Sequence, residues 1–457
     1  MHMPPEGPSQ PILAAEARGQ AESLRQLLAP EHWPFDPGLL PAQTVLVGGA
    51  VRDALLGRLH PRPDLDLVVS GDAIALARSL ARRLHGSCVV LDAERCMARL
   101  VLQGWTIDLA RRIGTNLEED LWRRDYTVNA IALPLVPGAE PIDPSGGLAD
   151  LAAGRLRAIS EDNLLEDPLR LLRGVRLAAE LNLVLEPRTQ DWIGRHHQSL
   201  ATVAGERVLA ELERLAAAET GETGLILAIR LGLLPAWGGD GEAACGQLAS
   251  LTPCQALTQG LTAEESNWAL PLARLAACLD GEAVGRLRGS RRLQQRCERL
   301  RHWRLRLEAC APLPATSGSR ATLPPGVLER LGEAERLALQ RQLEADLPAL
   351  ALLLDAGDSG PLLRRWRDPD DGLLHPRSPL DGGQLQAWLA LPAGPRLGRL
   401  IEHLSQERAF GRLPAALPSC PAEAEASLRA ARRWWEAGDP QTAAKPAEGS
   451  ELDRRHD

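Results

Sequence analysis

Two textures divide this chain, and the boundary between them constrains its fold more than any single motif. From Val45 to about Leu156 short β-rich runs alternate with helical stretches. Val45-Leu46-Val47, Leu65–Val69, Cys88–Leu91, Arg99–Leu102 and Thr106–Ala110 read as strands, and Ala50–Leu56 and Ala73–Leu84 as helices. From Glu161 onward the pattern is helical, broken by Gly and Pro, with no convincing strand. An α/β head followed by a long all-α neck, body and tail is the fold class this predicts. The expected division is a disordered N-terminus with a short helix (Glu22–Leu28) over 1–40, the head over 41–156, a helical neck over 157–220, a helical body and tail over 221–437, and a disordered C-terminus over 438–457.

Composition narrows the function classes. Apolar residues make up 44% of the 457, but only 3% are aromatic, so Leu and Ala supply the core and favour helices. No basic-then-apolar leader is present, and the longest apolar run, around Leu347–Leu354, is about half of what a membrane span needs. A soluble, cytoplasmic protein with no membrane partner is expected. Eight cysteines without C-x-x-C pairing point to reduced thiols rather than a zinc site, and the adjacent His196 and His197 diverge on a helix. The net charge of −8 does not mark a nucleic-acid binder, yet Arg286–Arg306 holds nine arginines against one acid, Glu298. That stretch reads either as a phosphate-backbone surface or as a solvated helix face.

Chemistry concentrates in four segments. In Leu46-Val47-Gly48-Gly49-Ala50-Val51-Arg52-Asp53 a strand runs into paired glycines and a helix starts at once. Such a turn lets backbone N–H groups approach a phosphate, with Arg52 placed to reach the same anion; a plain tight turn is the alternative. Asp64-Leu65-Asp66 then opens an apolar strand. Residues i and i+2 share a face, so the two carboxylates stand side by side and call for a neutralising cation such as Mg²⁺. Asp108, in another apolar strand, is an open third candidate. The remaining two segments are Arg123-Arg124-Asp125-Tyr126-Thr127-Val128-Asn129-Ala130 and Glu166-Asp167-Pro168-Leu169-Arg170-Leu171-Leu172-Arg173-Gly174-Val175-Arg176. In the last of these, Asp167, Arg170, Arg173 and Arg176 recur every third position and predict one charged helix ridge, with Pro168 in its first turn.

In this order, the four segments resemble the motifs of the class II tRNA nucleotidyltransferase and bacterial poly(A) polymerase family. Ile142-Asp143-Pro144-Ser145-Gly146-Gly147, Gly205-Glu206-Arg207 with Glu211-Leu212, and Leu380-Asp381-Gly382-Gly383 resemble further stretches of it. The resemblance implies a polymerase-β-like catalytic head in which Asp64 and Asp66 are the catalytic, Mg²⁺-holding carboxylates. It implies nucleotide binding by Gly48, Gly49, Arg52, Arg124, Arg173 and Arg176, a nucleotide-recognition neck, and a tRNA-binding body. It further implies that Asp167 and Arg170 replace a template. The chemistry agrees: cytosine and adenine offer an amino donor beside a ring-nitrogen acceptor, whereas uracil and guanine offer the reverse, and a carboxylate plus a guanidinium complements only the first arrangement.

Expected partners are the tRNA 3′ end and CTP, with ATP the alternative nucleotide. The family's CCA-adding and poly(A)-adding members carry a flexible loop before the Arg-Arg-Asp motif, and here only Arg112-Ile113-Gly114-Thr115-Asn116 precedes the helical Leu117–Trp122. That departure implies CC addition, with a separate A-adding enzyme supplying the last base. A complete CCA-adding or an A-adding enzyme, then a poly(A) polymerase, then a non-catalytic RNA-binding protein are the alternatives.

Overall fold

A computed structural model describes residues 24–136, 138–239, 241–310, 322–414 and 417–437. The expected disorder at both termini falls on residues outside these, as does Glu22 of the expected first helix, whose residues 24–28 are helical. The chain forms two compact units, residues up to Cys245 with Ala283–Gly289, and Gly246–Glu282 with residues from Ser290 onward. The segments read as head and neck both lie in the first.

The first unit is built on a six-stranded sheet of β1 (Val45–Val47), β2 (Leu65–Val69), β3 (Ser87–Asp92), β4 (Met97–Leu102), β5 (Trp105–Arg111) and β6 (Ala132–Pro134), in the order β3-β4-β5-β2-β1-β6. Only β2 and β5 run parallel; the other neighbours are antiparallel. Helix α1 (Gly49–Leu55) follows β1, and α2 (Ala73–Leu84) connects β2 to β3, capped by the Asp72 carboxylate accepting from the Ala75 N–H. β5 alternates: Trp105, Ile107 and Leu109 are buried, while Thr106, Asp108 and Ala110 face the other side. Residues directly paired across strands share a face. The register Val47↔Asp66, Asp66↔Asp108 and Asp108↔Arg99 therefore sets these four in one row across the sheet.

Helices follow: α3 (Leu117–Trp122), α4 (Gly147–Ala152), α5 (Glu161–Glu166), α6 (Leu169–Leu181), α7 (Pro187–Arg195), α8 (Gly205–Ala217) and α9 (Gly221–Arg230). α6 is the central one, packed on α8 and α9, with Leu171, Leu172, Val175 and Leu181 buried. One expectation fails here. A strand does occur beyond Glu161, since Val184–Leu185 pairs in parallel with Arg155–Leu156. Two residues are too few to give a periodic signal.

In the second unit, the described elements are helical. Ala263–Cys278 begins with a capping box of Thr262 and Glu265, and Gly382–Leu389, Pro395–Ala409 and Glu425–Ala437 share a core around Leu385, Leu400 and Ala431. Much of the arginine-rich stretch is already engaged. Arg296, Arg304 and Arg306 pair with Asp346, Glu308 and Glu335, and in the first unit Arg288 pairs with Glu206. Part of the stretch is thus engaged in charge pairs within the fold, which neither reading of it anticipated.

Candidate active site

The sheet delivers β1 and β2 side by side, so the turn after β1 meets the carboxylates of β2. Gly48 has φ 76°, and a Cβ there would lie 2.9 Å from Asp66 Oδ2. Both facts demand glycine: the left-handed backbone, and the space the carboxylate occupies. Asp66 is mostly buried, and burial is the main cause that pushes its carboxyl up to about 6. Asp108 and Asp64 push the same way, while Arg124 and Arg173 oppose. A proton-hungry acid beside two others marks a place lacking positive charge.

Asp108 is not free to supply a third ligand. Arg99, its register neighbour, donates to both its oxygens, Nε to Oδ1 at 2.8 Å and Nη2 to Oδ2 at 2.9 Å. Among the described residues no three His, Cys, Asp or Glu side chains close on one point. The donor set facing the glycine turn is a pair of carboxylates. That fits Mg²⁺, which binds through one or two carboxylates and draws its other oxygens from water and substrate phosphates.

A cavity of about 440 Å³ brings together Gly49, Arg52, Asp64, Asp66, Arg173 and Arg176. Arg124, Asp167 and Arg170 do not line it. Its wall includes Arg62, Glu180 and Arg214, which the sequence reading missed. Arg62, two residues before Asp64, was open to the same spacing argument as the carboxylates; the other two are placed by tertiary packing.

Behind the cavity lies a chain of polar contacts. Arg52 is buried and donates Nη1 to Asn129 Oδ1 at 2.6 Å, and Asn129 Nδ2 donates to Asp125 Oδ1 at 3.1 Å. Asp125 also pairs with Arg173 at 2.8 Å. Burial pushes its carboxyl up, but Arg173, Asn129 and the Tyr126 N–H outweigh this and hold it below the ordinary range. Tyr126, the one tyrosine of the chain, is fully buried and donates its hydroxyl to the Arg170 carbonyl at 2.7 Å. Gly174 makes room for it, since a Cβ there would sit 1.9 Å from the tyrosine oxygen. Neighbouring Arg124 pairs with Asp120 at 3.2 Å and keeps a buried Nε without a hydrogen bond.

The expected ridge is modified at both ends. Asp167 is not on α6: it follows α5 in extended backbone, and Pro168 is the N-cap. A proline cannot continue the α5 turn, so the chain breaks there before restarting. Arg176 is buried, pairing with Glu211 at 2.5 Å and with Glu180. Its charge is thus committed inside the fold.

The short connector is tied down. Thr115 donates through N and Oγ1 to Glu119, both at 2.7 Å, the Ile113 N–H donates to Asp120 at 2.9 Å, and the Arg112 N–H to the Val69 carbonyl at 2.8 Å. Asn116 caps α3 by accepting from the Glu119 N–H.

Comparison with known proteins meets this geometry at the same residues. The poly A polymerase head domain matches residues 44–112 and 109–157, and the probable RNA and SrmB-binding site of polymerase A matches 182–237. A CC-adding tRNA nucleotidyltransferase of Thermus thermophilus is 34% identical over 424 residues, 84% of this chain and 93% of the relative. One of Synechocystis sp. is 46% identical over 204 residues, 45% of this chain and only 49% of the relative's length. Other relatives carry the names A-adding tRNA nucleotidyltransferase and CCA-adding enzyme. In fold, the chain matches the Thermotoga maritima CCA-adding enzyme complexed with tRNA, with a TM-score of 0.64 at 20% identity over 90% of this chain and 98% of that one. No described helix is long and apolar enough to cross a membrane. With its sheet-borne carboxylates, its glycine turn and a relative matched over nearly its whole length, the chain belongs to the class II tRNA nucleotidyltransferase and poly(A) polymerase family, whose members are nucleotidyltransferases that generally use divalent metal ions.

Proposed function

We propose that this protein is a template-independent tRNA nucleotidyltransferase that transfers CMP from CTP to the tRNA 3′ end and stops after CC. The Asp64/Asp66 pair beside the Gly48 turn carries the reaction type. The RNA 3′-oxygen would attack the α-phosphorus of CTP, forming the phosphodiester as the bond to pyrophosphate breaks. Mg²⁺ held by Asp64 and Asp66 would supply activation of the 3′-hydroxyl and charge neutralisation on the leaving pyrophosphate. The Gly48-Gly49 backbone admits phosphate oxygens without a side chain in the way, and Arg52, Arg124 and Arg173 add positive charge around them. Arg176, already paired with two acids, holds Arg173's helix in place more than it contacts the nucleotide. Asp167 and Arg170 read the base, the carboxylate accepting from the amino group of cytosine.

The restriction to CC rests on the connector. Switching a pocket from C to A needs a segment that moves, and residues 112–116 are fastened at Val69, Glu119 and Asp120. The names of the Thermus and Synechocystis relatives support the same reading. A separate A-adding enzyme then completes the end. The test supplies purified protein and Mg²⁺ with tRNA ending before CCA, after C and after CC, each with CTP or ATP. Two CMP additions and no AMP are expected. AMP on tRNA ending in CC overturns the CC reading, and long oligo(A) on nonspecific RNA replaces it with poly(A) synthesis.

A further inference from the structure

The Arg170 N–H donates to the Asp167 carbonyl at 2.9 Å, but the side chains of these two residues, proposed to read the base, meet other partners. Arg170 turns away, donating Nη1 to the carbonyl oxygens of Asn163 at 2.7 Å and Arg123 at 3.4 Å. Asp167 is held by a third residue, Arg207 of α8. Nη2 donates to Oδ2 at 2.7 Å and Nη1 to Oδ1 at 3.4 Å, a fork on the carboxylate. We propose that Arg207 is a specificity-determining positioning residue, which keeps the Asp167 carboxylate aimed so that it presents acceptor oxygens to a base. The proposal rests on the base-reading role given to Asp167 above.

Discrimination between cytosine and uracil turns on one polarity. An ionised carboxylate accepts from the cytosine amino group and repels the uracil keto oxygen. A swivelled carboxylate loses that distinction, because it leaves the contact. Asp167 sits where nothing else fixes it. It lies in the extended break between α5 and α6, and among the described residues its side chain otherwise makes one long bond, accepting from the Leu169 N–H at 3.3 Å. Arg207 supplies both the counter-charge and the second anchoring point.

The fork does not block the base. A carboxylate offers about four lone-pair positions, and the fork takes one on each oxygen. Oδ2, which makes the shorter bond to Arg207, keeps its other lone pair for an amino group, so reading does not require Arg207 to leave. Two acids of α8 near in sequence to Arg207 are paired elsewhere. Glu206 pairs with Arg288 at 2.8 Å, and Glu211 pairs with Arg176 and lies 3.9 Å from Arg214. Nor does the pair read as a folding device. The side chains are 54% and 33% exposed, and ion pairs this wet add little to stability.

The test measures kcat/KM for CTP and UTP on tRNA lacking its 3′ end, for the full-length protein and the variants R207A, R207K and D167A. R207A is expected to lower the CTP-to-UTP selectivity roughly tenfold or more. It should leave the melting temperature within a degree or two, and R207K should recover most of the selectivity by restoring a charge without the fork. D167A should lose at least as much, and D167A/R207A no more than D167A alone, since the two act through one contact. Unchanged selectivity in R207A with collapsed selectivity in D167A overturns the role of Arg207 and leaves base reading intact. Unchanged selectivity in D167A overturns base reading, and this proposal with it. A melting temperature that falls alike in R207A and R207K shows a structural bridge, which also overturns it.

Discussion

The first unit carries two clusters of charge built on opposite rules. On the sheet, Asp64, Asp66 and Asp108 stand close together, Arg99 satisfies only the outermost, and Asp66 is pushed up to about 6. Behind it, Asp125 and Asp150 are at least as enclosed, yet each is held below the ordinary range by its partners: Arg173 and Asn129 for the first, Thr127, Arg155 and Arg157 for the second. Arg176 with Glu211 and Glu180 follows the second rule. Asp66 and Asp125 are both largely enclosed, so burial alone is not what separates the clusters. What separates them is whether the protein itself supplies the counter-charge. Where it does, the charges lock helices to the sheet. Where it does not, the deficit is what a cation and a polyphosphate would fill.

The comparison breaks first at the carboxylates on the sheet. If the deficit is functional, Asp64→Asn and Asp66→Asn should each lower Mg²⁺-dependent CMP incorporation by about a thousandfold or more, because several kcal/mol of transition-state charge neutralisation are lost. Neither substitution removes a charge that the fold uses, so neither should lower the melting temperature. Incorporation assays paired with thermal melts check both halves. A variant that melts early but keeps its activity would place this cluster with the structural one.

The converse substitution sharpens the other side. Glu211→Ala leaves the Arg176 guanidinium buried with only the partly exposed Glu180 for company. Removing one partner of a buried pair costs about 3–5 kcal/mol, a large share of a domain's stability. Urea denaturation should show the midpoint falling accordingly, while the activity of the remaining folded protein stays within about tenfold of the parent. A loss below about 1 kcal/mol would mean that Arg176 is free to serve the nucleotide, as the sequence resemblance implied.

The split between clusters also explains what could be read from the sequence. Asp66 lies on β2 and Asp64 immediately before it, two residues apart, and the glycine pair precedes a helix, so local periodicity alone puts these groups on one surface. The partners that decide each group's role are distant in the chain. Arg99 reaches Asp108, Asp125 reaches Arg173, and Asp167 reaches Arg207 only after the sheet register and helix packing are set. The same blindness hid the charge pairs of Arg286–Arg306, because two of its acids, Asp346 and Glu335, lie on other helices. β6 and Val184–Leu185, three and two residues long, are too short to show alternation. The connector was legible as short, but its fastening to Glu119 and Asp120 was not.

The finest test of the contrast is the pH dependence of stability. Asp66 has its ordinary value near 3.8 in the unfolded chain and about 6 in the fold, so the folded protein holds the proton more tightly. Its contribution is therefore fully present below about pH 4, falls as pH rises through 6, and is absent above; a shift of this size corresponds to at most about 3 kcal/mol. Asp125 and Asp150, held low, work in the opposite direction: their contribution is present at neutral pH and is lost as pH falls through their depressed values. Subtracting the unfolding free energy of Asp66→Asn from that of the parent at each pH cancels these common terms. With chelator present, the variant should gain on the parent between pH 4 and 7 by an amount on the order of 1–3 kcal/mol. Saturating Mg²⁺ should reverse the gain, because it binds the folded parent through the carboxylate that the variant lacks. A flat difference across this range would mean that the sheet carboxylates are compensated within the protein, and the two clusters would then differ in position but not in kind.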